Sequence, residues 1–288
     1  MTHAAADSPP DSAERPRSAA NLRRRRARLP DHADPFGYEP DFHESVRPIF
    51  EFLYRRYWRV DTSGLEHVPA SGPVLIVGNH SGGIPFDATM IATAVDLEHP
   101  QHRLVRFLYD RFVADMPYLG TAYNRLGAVP ASYLNAHRLL KSGAAVGVFP
   151  EGVAGVAKGI GQRYRVQRFH TGFVRLALSL RVPIVPVAVV GAEEIYPVIG
   201  KWTRLGPLKE LLNVPYIPIT PLFPLFGVLG LVPLPTKWHI RFDRPIALEL
   251  ENGAQTARRR TAQRLAERVR RRIQTMLHEM LAERDALF

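Results

Sequence analysis

An imidazole and a carboxylate stand seven positions apart in VLIVGNHSGGIPFDATMI, residues Val74 to Ile91. Together such groups make a proton-transfer device. A carboxylate bonded to one ring nitrogen of a histidine fixes its tautomer and leaves the other nitrogen free as a base near neutral pH. The chemistry open to His80 and Asp87 is removal of a proton from a hydroxyl as its oxygen attacks an electrophile. A second arrangement uses the same residues without chemistry: Asp87 caps the helix that it opens, and His80 is a hydrogen-bonded turn residue. The block alone leaves both open.

Two later stretches have a related form. AAVGVFPEGVAGVAKG, starting at Ala144, runs from an apolar segment into Phe149-Pro150-Glu151-Gly152 and brings a second carboxylate with a glycine. VPIVPVAVVG, starting at Val182, carries Pro183 and Pro186 in a β-branched run. Prolines there predict an irregular strand near a sheet edge or a ligand.

These side chains meet only if the runs before them end at one edge of a sheet. The pattern predicts strands at Val74–Val77, Leu104–Leu108, Ala144–Phe149, Ile184–Val190 and Trp238–Phe242. Helices are expected near Asp87–Val95, Asn135–Ser142 and Thr171–Arg181. Such alternation predicts one α/β domain with a largely parallel central sheet flanked by helices. Asn79 and His80 then lie at the carboxyl end of a strand, where crevices form in open sheets. Ser81, Gly82 and Gly83 let the chain turn there.

An N-terminal amphipathic helix is expected from Asp41, with Phe42, Val46, Ile49, Phe50, Leu53 and Tyr57 at helical steps and Pro48 near its start or kinking it. Trp58 and the tyrosines beside Arg55, Arg56 and Arg59 suit a membrane interface or a core-packing helix equally. Residues 254–287 form a C-terminal basic amphipathic helix with Leu265, Val269, Ile273, Met276 and Met280 on one face.

The chain has 288 residues, 46% of them hydrophobic, which is enough for a sizeable core. It has no cysteine, so disulfides, thiolate metal sites and cysteine nucleophiles are excluded. The net charge of +11 gathers at the ends, with seven Arg against three acids in residues 1–30 and nine against five in residues 251–288. Basic ends suit an anionic membrane surface, and no zinc-finger or RNP-like pattern supports nucleic-acid readout. Residues 1–35 are expected to be a disordered basic tail with no secretory h-region, and residues 36–288 the folded domain, with its motif-bearing core at about 60–250. The uncharged run from Val214 to Pro235 is long enough to span a bilayer. Its prolines preclude a continuous helix, and an apolar loop that is partly buried and partly lipid-facing fits better.

Other chemistries lack their signatures. No G-x-S-x-G elbow is present. The glycine-rich Gly152–Gly161 stretch lacks phosphate-loop spacing. His99 and His102 in HPQH suit a surface turn better than a metal site.

In order, the blocks resemble the glycerolipid acyltransferase family, often named after bacterial lysophosphatidate acyltransferase. They are Asn79/His80…Asp87, RLGAVPAS (Arg125 to Ser132), Phe149–Gly152 and Val182–Pro186, over about residues 41 to 250. The downstream ITPLFPLFGVLGLVPLPTKWHIRFDRPI is similar to a subgroup acting on neutral lipids and phytyl esters. The resemblance implies transfer of a fatty acyl group from acyl-CoA or acyl carrier protein to a hydroxyl of a glycerolipid or other lipid alcohol, with His80 as general base and Asp87 orienting it. It implies substrate-binding roles for Asn79, Ser81, Gly127, Ser132, Phe149, Pro150, Glu151, Gly152 and Pro183. No cofactor or metal is implied. The expected partners are the lipid acceptor, the acyl thioester and a membrane surface, without nucleic acid. The expected place is the cytoplasmic face of the cell membrane, peripheral or monotopic and not secreted.

Two departures carry consequences. Six residues separate His80 from Asp87 where the family has four, so the connection must bulge for the pair to meet. Ser132 stands where the family has an arginine associated with the acceptor phosphate, which favours a less charged alcohol. Lys158, Arg163, Arg165 and Arg168 remain as phosphate contacts or as a solvated loop. The alternatives are a membrane-associated lipid-binding protein with a degenerate site and a lipid esterase or thioesterase.

Overall fold

Val74, Leu75, Ile76 and Val77 are fully buried, which requires layers on both faces of their strand. In the computed structural model, which describes residues 34–81, 86–110, 113, 118–156, 158–202, 217–221, 223–248 and 255–284, those layers are helices. The strands are β1 (Asp61–Ser63), β2 (Val74–Gly78), β3 (Val105–Tyr109), β4 (Val129–Pro130), β5 (Ala145–Val148), β6 (Ile184–Val190), β7 (Gly200–Trp202), β8 (Ile217–Ile219) and β9 (His239–Phe242). The helices are α1 (Pro40–Phe52), α2 (Phe86–Glu98), α3 (Leu119–Arg125), α4 (Tyr133–Lys141), α5 (Val153–Val156), α6 (Gly172–Leu180) and α7 (Gln255–Ala282). Seven strands form one sheet in the order β1-β9-β6-β2-β5-β3-β4, and β7 with β8 makes a separate antiparallel ribbon. Every pairing in the large sheet is parallel except β6 with β9. The fold is thus a single α/β domain with a mostly parallel sheet. The expected tail up to residue 33, the Gly82-Gly83 turn, part of the proline-rich run and residues 285–287 lie outside the described residues.

Alternation along the strands sorts the core into two halves. Leu75, Val77, Ala188 and Val190 face a layer that includes Leu265, Val269, Ile273 and Met276 of α7, as the C-terminal periodicity predicts. Val74, Ile76, Val187 and Val189 face Met90, Ile91 and Ala94 of α2 with Trp58 and Trp238.

One expectation changes and one open alternative is decided. The Pro183/Pro186 run is not at an edge, since β6 lies between β9 and β2. Pro186 is tolerated because β9 pairing stops at Val187↔Phe242, so its missing N–H falls where the ladder has ended. Its carbonyl still accepts the Asp243 N–H at 2.9 Å. Second, Trp58 is fully buried, and its ring stacks on Trp238 with centroids 4.7 Å apart. The exposed apolar residues of that region are Ile49 and Phe52 on α1. An aromatic beside arginines is therefore core here, because the chain past α1 widens into a π-helical turn, Leu53–Tyr57, that carries Tyr54 inward. His99 is likewise buried, with Nε2 on the Val68 carbonyl at 3.0 Å.

Trp58 joins the N-terminal helix to the sheet. Trp58→Ala is expected to lower unfolding free energy by about 3–5 kcal/mol, measured as a shift of the urea midpoint with an unchanged slope.

Candidate active site

Parallel pairing fixes which loops meet. Val77 pairs with Val148 and with Pro186, so the segments leaving β2, β5 and β6 emerge side by side at one edge of the sheet. Those segments deliver His80, Glu151 and Glu193. Asn79 makes the first turn possible. Its side-chain amide donates to the Val189 carbonyl at 3.1 Å and accepts the Val189 N–H at 2.9 Å. This amide prolongs the β2–β6 ladder after the backbone has left it.

His80 Nδ1 lies 2.7 Å from Asp87 Oδ2. The carboxylate is fully buried, and Oδ2 also accepts the Ser81 N–H at 2.8 Å and the Ser81 hydroxyl at 3.0 Å. Oδ1 accepts the Ala88 N–H at 2.8 Å in the first turn of α2. One oxygen thus meets a free N–H of the first helical turn from within the helix, and the other orients the ring. Burial raises the Asp87 carboxyl, but the His80 charge and hydrogen bond and the Ser81 and Ala88 N–H groups outweigh it, leaving it below the ordinary carboxylate value. With Nδ1 engaged, Nε2 is the open nitrogen, and no described residue hydrogen-bonds it. Phe149 lies flat on the imidazole, with centroids 4.3 Å apart and planes 6° apart, and it stacks in turn on Phe107. The ring is thus held by its edge and by one face.

Glu151 holds the backbone behind that ring. Its Oε1 accepts the His80 N–H at 2.8 Å, and its Oε2 accepts the Gln167 N–H at 2.7 Å. Lys158, also buried, brings Nζ to 3.6 Å from Glu151 and 2.6 Å from Glu193 Oε1. Glu193 Oε2 accepts the Tyr164 N–H at 2.8 Å. Burial pushes the Glu193 carboxyl up, and Lys158 and the Tyr164 N–H offset that only in part. Gly155 has no room for a side chain: a Cβ there would stand 2.8 Å from the Cβ atoms of both His80 and Glu151.

Lys158 is therefore neither a free phosphate contact nor part of a solvated loop. Sequence reasoning missed Glu193 and Gly155 as site residues, and for Glu193 the available signal was its place just past a strand beside the other two. Tyr123 was missed as well: burial, with the Asp87 charge second, pushes its hydroxyl up to about 12, so it stays a neutral phenol.

The remaining residues named from the sequence are dispersed. Pro150 gives its carbonyl to the His170 N–H at 3.0 Å, and Gly152 takes a positive φ of 57° as the chain turns into α5. Ser132 sits three residues past Val129, at the level of His80, but β4 is three strands from β2, a lateral distance of about 14 Å. Its hydroxyl caps α4 by accepting the Asn135 N–H at 3.0 Å. Gly127 gives its carbonyl to the Arg106 guanidinium. Pro183 is a correction: it precedes β6, and its carbonyl accepts the Leu75 N–H at 3.0 Å. That puts it about 20 Å along the strand from the site edge, because the motif spans the strand and only its far end reaches the site. Among the described residues no group of acidic or histidine side chains could hold a metal ion.

The pH dependence of stability has a definite sign. Because the folded Asp87 carboxyl is held low, its ionisation stabilises the fold above the unfolded value of about 4, and that contribution is lost as pH falls through the lower folded value. The wild type is expected to exceed Asp87→Asn in unfolding free energy at pH 6–8, a range chosen at roughly two or more units above that value. The gap should close below it, as read from urea titrations across pH.

A family model described as Acyltransferase matches residues 59–190. An uncharacterized protein of Mycobacterium tuberculosis is 41% identical over 240 residues, covering 83% of this chain and 66% of that protein. The chain thus spans just under two thirds of that relative's length. The chloroplastic phytyl ester synthase 2 of Arabidopsis thaliana is 31% identical over 144 residues, 47% of this chain and 20% of its own. The crystal structure of the 1-acyl-sn-glycerophosphate acyltransferase of Thermotoga maritima superposes with a TM-score of 0.54 at 17% identity, covering 85% of this chain and 80% of that one, which shows a shared fold. The matched span contains β1 through β6 with His80, Asp87, Glu151 and Lys158, while Glu193 lies just beyond it, and over that span the chain is similar to the acyltransferase family.

Proposed function

We propose that the protein transfers a fatty acyl group from a thioester to the hydroxyl of a lipid alcohol at a membrane surface. The observation that carries this reading is the 2.7 Å contact from His80 Nδ1 to a fully buried Asp87 carboxylate, which leaves Nε2 as the base. In the proposed reaction Nε2 takes the proton of the acceptor hydroxyl as the oxygen attacks the thioester carbonyl. The ionised Asp87 stabilises the imidazolium that forms. Collapse of the tetrahedral species expels the thiolate, which takes the proton back from His80. The thiolate leaves readily, so the step needs no enzyme nucleophile. Phe149 and Glu151 keep the ring from swinging as charge develops on it.

A neutral acceptor is favoured. Ser132 stands where the family has arginine, and its hydroxyl is engaged by Asn135. The similarity to a phytyl ester synthase points the same way.

The membrane part of the reading rests on one exposed surface. Leu225, Phe226, Leu229 and Val232 are between 52% and 77% exposed. The next residues are tied to the end of α1: the Tyr57 hydroxyl donates to the Pro233 carbonyl at 2.6 Å, and Trp58 Nε1 to that of Leu234 at 3.1 Å. Phe52 packs on Tyr57, with ring centroids 6.4 Å apart. The loop end next to Val232 thus meets the end of α1 near Phe52 and the exposed Arg55 and Arg56, of which Arg55 is paired with Glu51, a composition suited to anionic lipid. No helix among the described residues is long and apolar enough to cross a membrane. The place proposed is the cytoplasmic leaflet, with contact from one side through this surface.

Two measurements test this. Purified protein and His80→Ala are incubated with labelled palmitoyl-CoA, or the carrier-protein thioester, and a panel of acceptors from glycerol 3-phosphate to diacylglycerol and a long-chain alcohol. Ester is expected only with His80 intact, with a loss of about 10²–10⁴-fold in the variant. Free fatty acid without acceptor dependence would point instead to a hydrolase. Separately, Leu225→Asp with Leu229→Asp is expected to abolish flotation with phosphatidylserine-containing vesicles while sparing turnover of a detergent-dispersed acceptor. Undiminished flotation would reject this surface.

A further inference from the structure

The segment from Lys158 to His170 runs as a strap beside the strand ends, and its charge is one-sided. Between Glu151 and Glu193 the chain contains no Asp or Glu and six Lys or Arg. Lys158 alone of these turns inward, onto the carboxylates of Glu193 and Glu151. Beyond it the chain alternates: Tyr164 and Val166 are buried, whereas Arg163, Arg165 and then Arg168 are exposed. Their guanidinium groups have no hydrogen-bond or ion-pair partner among the described residues.

The strap is anchored on its inner side. Gln167 N–H is fixed to Glu151 at 2.7 Å, Tyr164 N–H to Glu193 at 2.8 Å, and His170 N–H to the Pro150 carbonyl at 3.0 Å. From α7, Gln274 accepts the Val166 N–H at 2.9 Å and donates to the Tyr164 carbonyl at 2.8 Å. The three arginines thus stand on a fixed backbone, one carboxylate removed from His80. Neighbouring cations repel one another, and without a carboxylate among them they hold a local positive potential for an anion. The planar guanidinium fork matches phosphate oxygens in pairs.

We propose that the outer face of this strap binds the phosphate-bearing end of the acyl donor, a coenzyme A thioester. The acyl-transfer reading supplies the donor, and the inference rests on it to that extent. Geometry separates the donor from the acceptor. A phosphate on the acceptor lies a few bonds from the attacking oxygen and must sit beside His80, where the inward cation, Lys158, is already matched to carboxylates. Arg163, Arg165 and Arg168 face solvent instead. A ligand reaching both places needs a long neutral arm between its reacting carbonyl and its anionic end, which the pantetheine arm of coenzyme A provides.

The test is the full-length variant Arg163→Gln/Arg165→Gln/Arg168→Gln, whose altered side chains are all exposed and whose fold is checked by its melting temperature. Palmitoyl transfer to one neutral acceptor is followed from palmitoyl-CoA and from phosphate-free palmitoyl-pantetheine, and binding of desulfo-CoA is measured directly. The variant should raise KM for palmitoyl-CoA and weaken desulfo-CoA binding by about tenfold or more, as lost charge-assisted contacts require, with kcat and the pantetheine KM unchanged. Unaltered KM and binding would overturn the proposal. So would a loss confined to phosphorylated acceptors, or one confined to anionic vesicles, which would assign the strap to an acceptor headgroup or to the bilayer. A wild type that transfers no acyl group yet binds desulfo-CoA through these arginines would leave the binding site standing and remove the transfer reading.

Discussion

The arrangement around His80 depends on one buried carboxylate, that of Glu151. Each of its oxygens accepts a backbone N–H, one from His80 and one from Gln167, so it joins the turn after β2 to the strap that follows α5. A carboxylate buried this deeply is stable only with hydrogen bonds and a counter-charge, and Lys158 supplies the counter-charge from 3.6 Å. That lysine must be buried too, and it needs the second carboxylate of Glu193. The requirement therefore passes along three loops, each leaving the same edge of a parallel sheet. Gly155 is part of the same constraint, because the short α5 can cross the site only where His80 and Glu151 meet no side chain.

Within this frame the His80–Asp87 pair is fixed from both sides. Asp87 is satisfied by four donors on its two oxygens, so its charge is stabilised in place and the imidazole cannot draw it away. The ring is limited by Phe149 on one face and by its own backbone tie to Glu151. An imidazole held this way would need little reorganisation on taking up a proton, which is the condition for electrostatic preorganisation to assist the proposed reaction.

Much of this was legible in the sequence, and the limits have physical causes. Continuous β-branched runs such as Val74–Val77 and Ile184–Val190 are recognisable because burial on both faces leaves no polar residue in them. His80, Asp87 and Glu151 are recognisable because polar groups directly after such runs must lie at a sheet edge. The partnership of Lys158 with Glu193 is not local: 35 positions separate them, and their contact follows from β6 lying next to β2. Trp58 beside arginines had two consistent environments, and only the position of Trp238 decides between them. Pro186 suggested an edge because the local rule for proline cannot show that the neighbouring strand has already ended.

The same geometry separates residues that hold the site from residues free to meet a substrate. Asn79 spends its amide on Val189, Ser81 its hydroxyl on Asp87, and Ser132 its hydroxyl on the start of α4. Glu151 has both oxygens engaged. Asn79 and Glu151 are among the buried ones, and either would have to give up a buried hydrogen bond, at a cost of about 1–3 kcal/mol, to meet a substrate. The groups with spare capacity are Nε2 of His80, the exposed apolar side chains and the outward arginines, and the proposed reaction assigns recognition to them. Under the proposed reaction, the buried groups would hold the base in place while the surface around it would set which thioester and which alcohol are brought together.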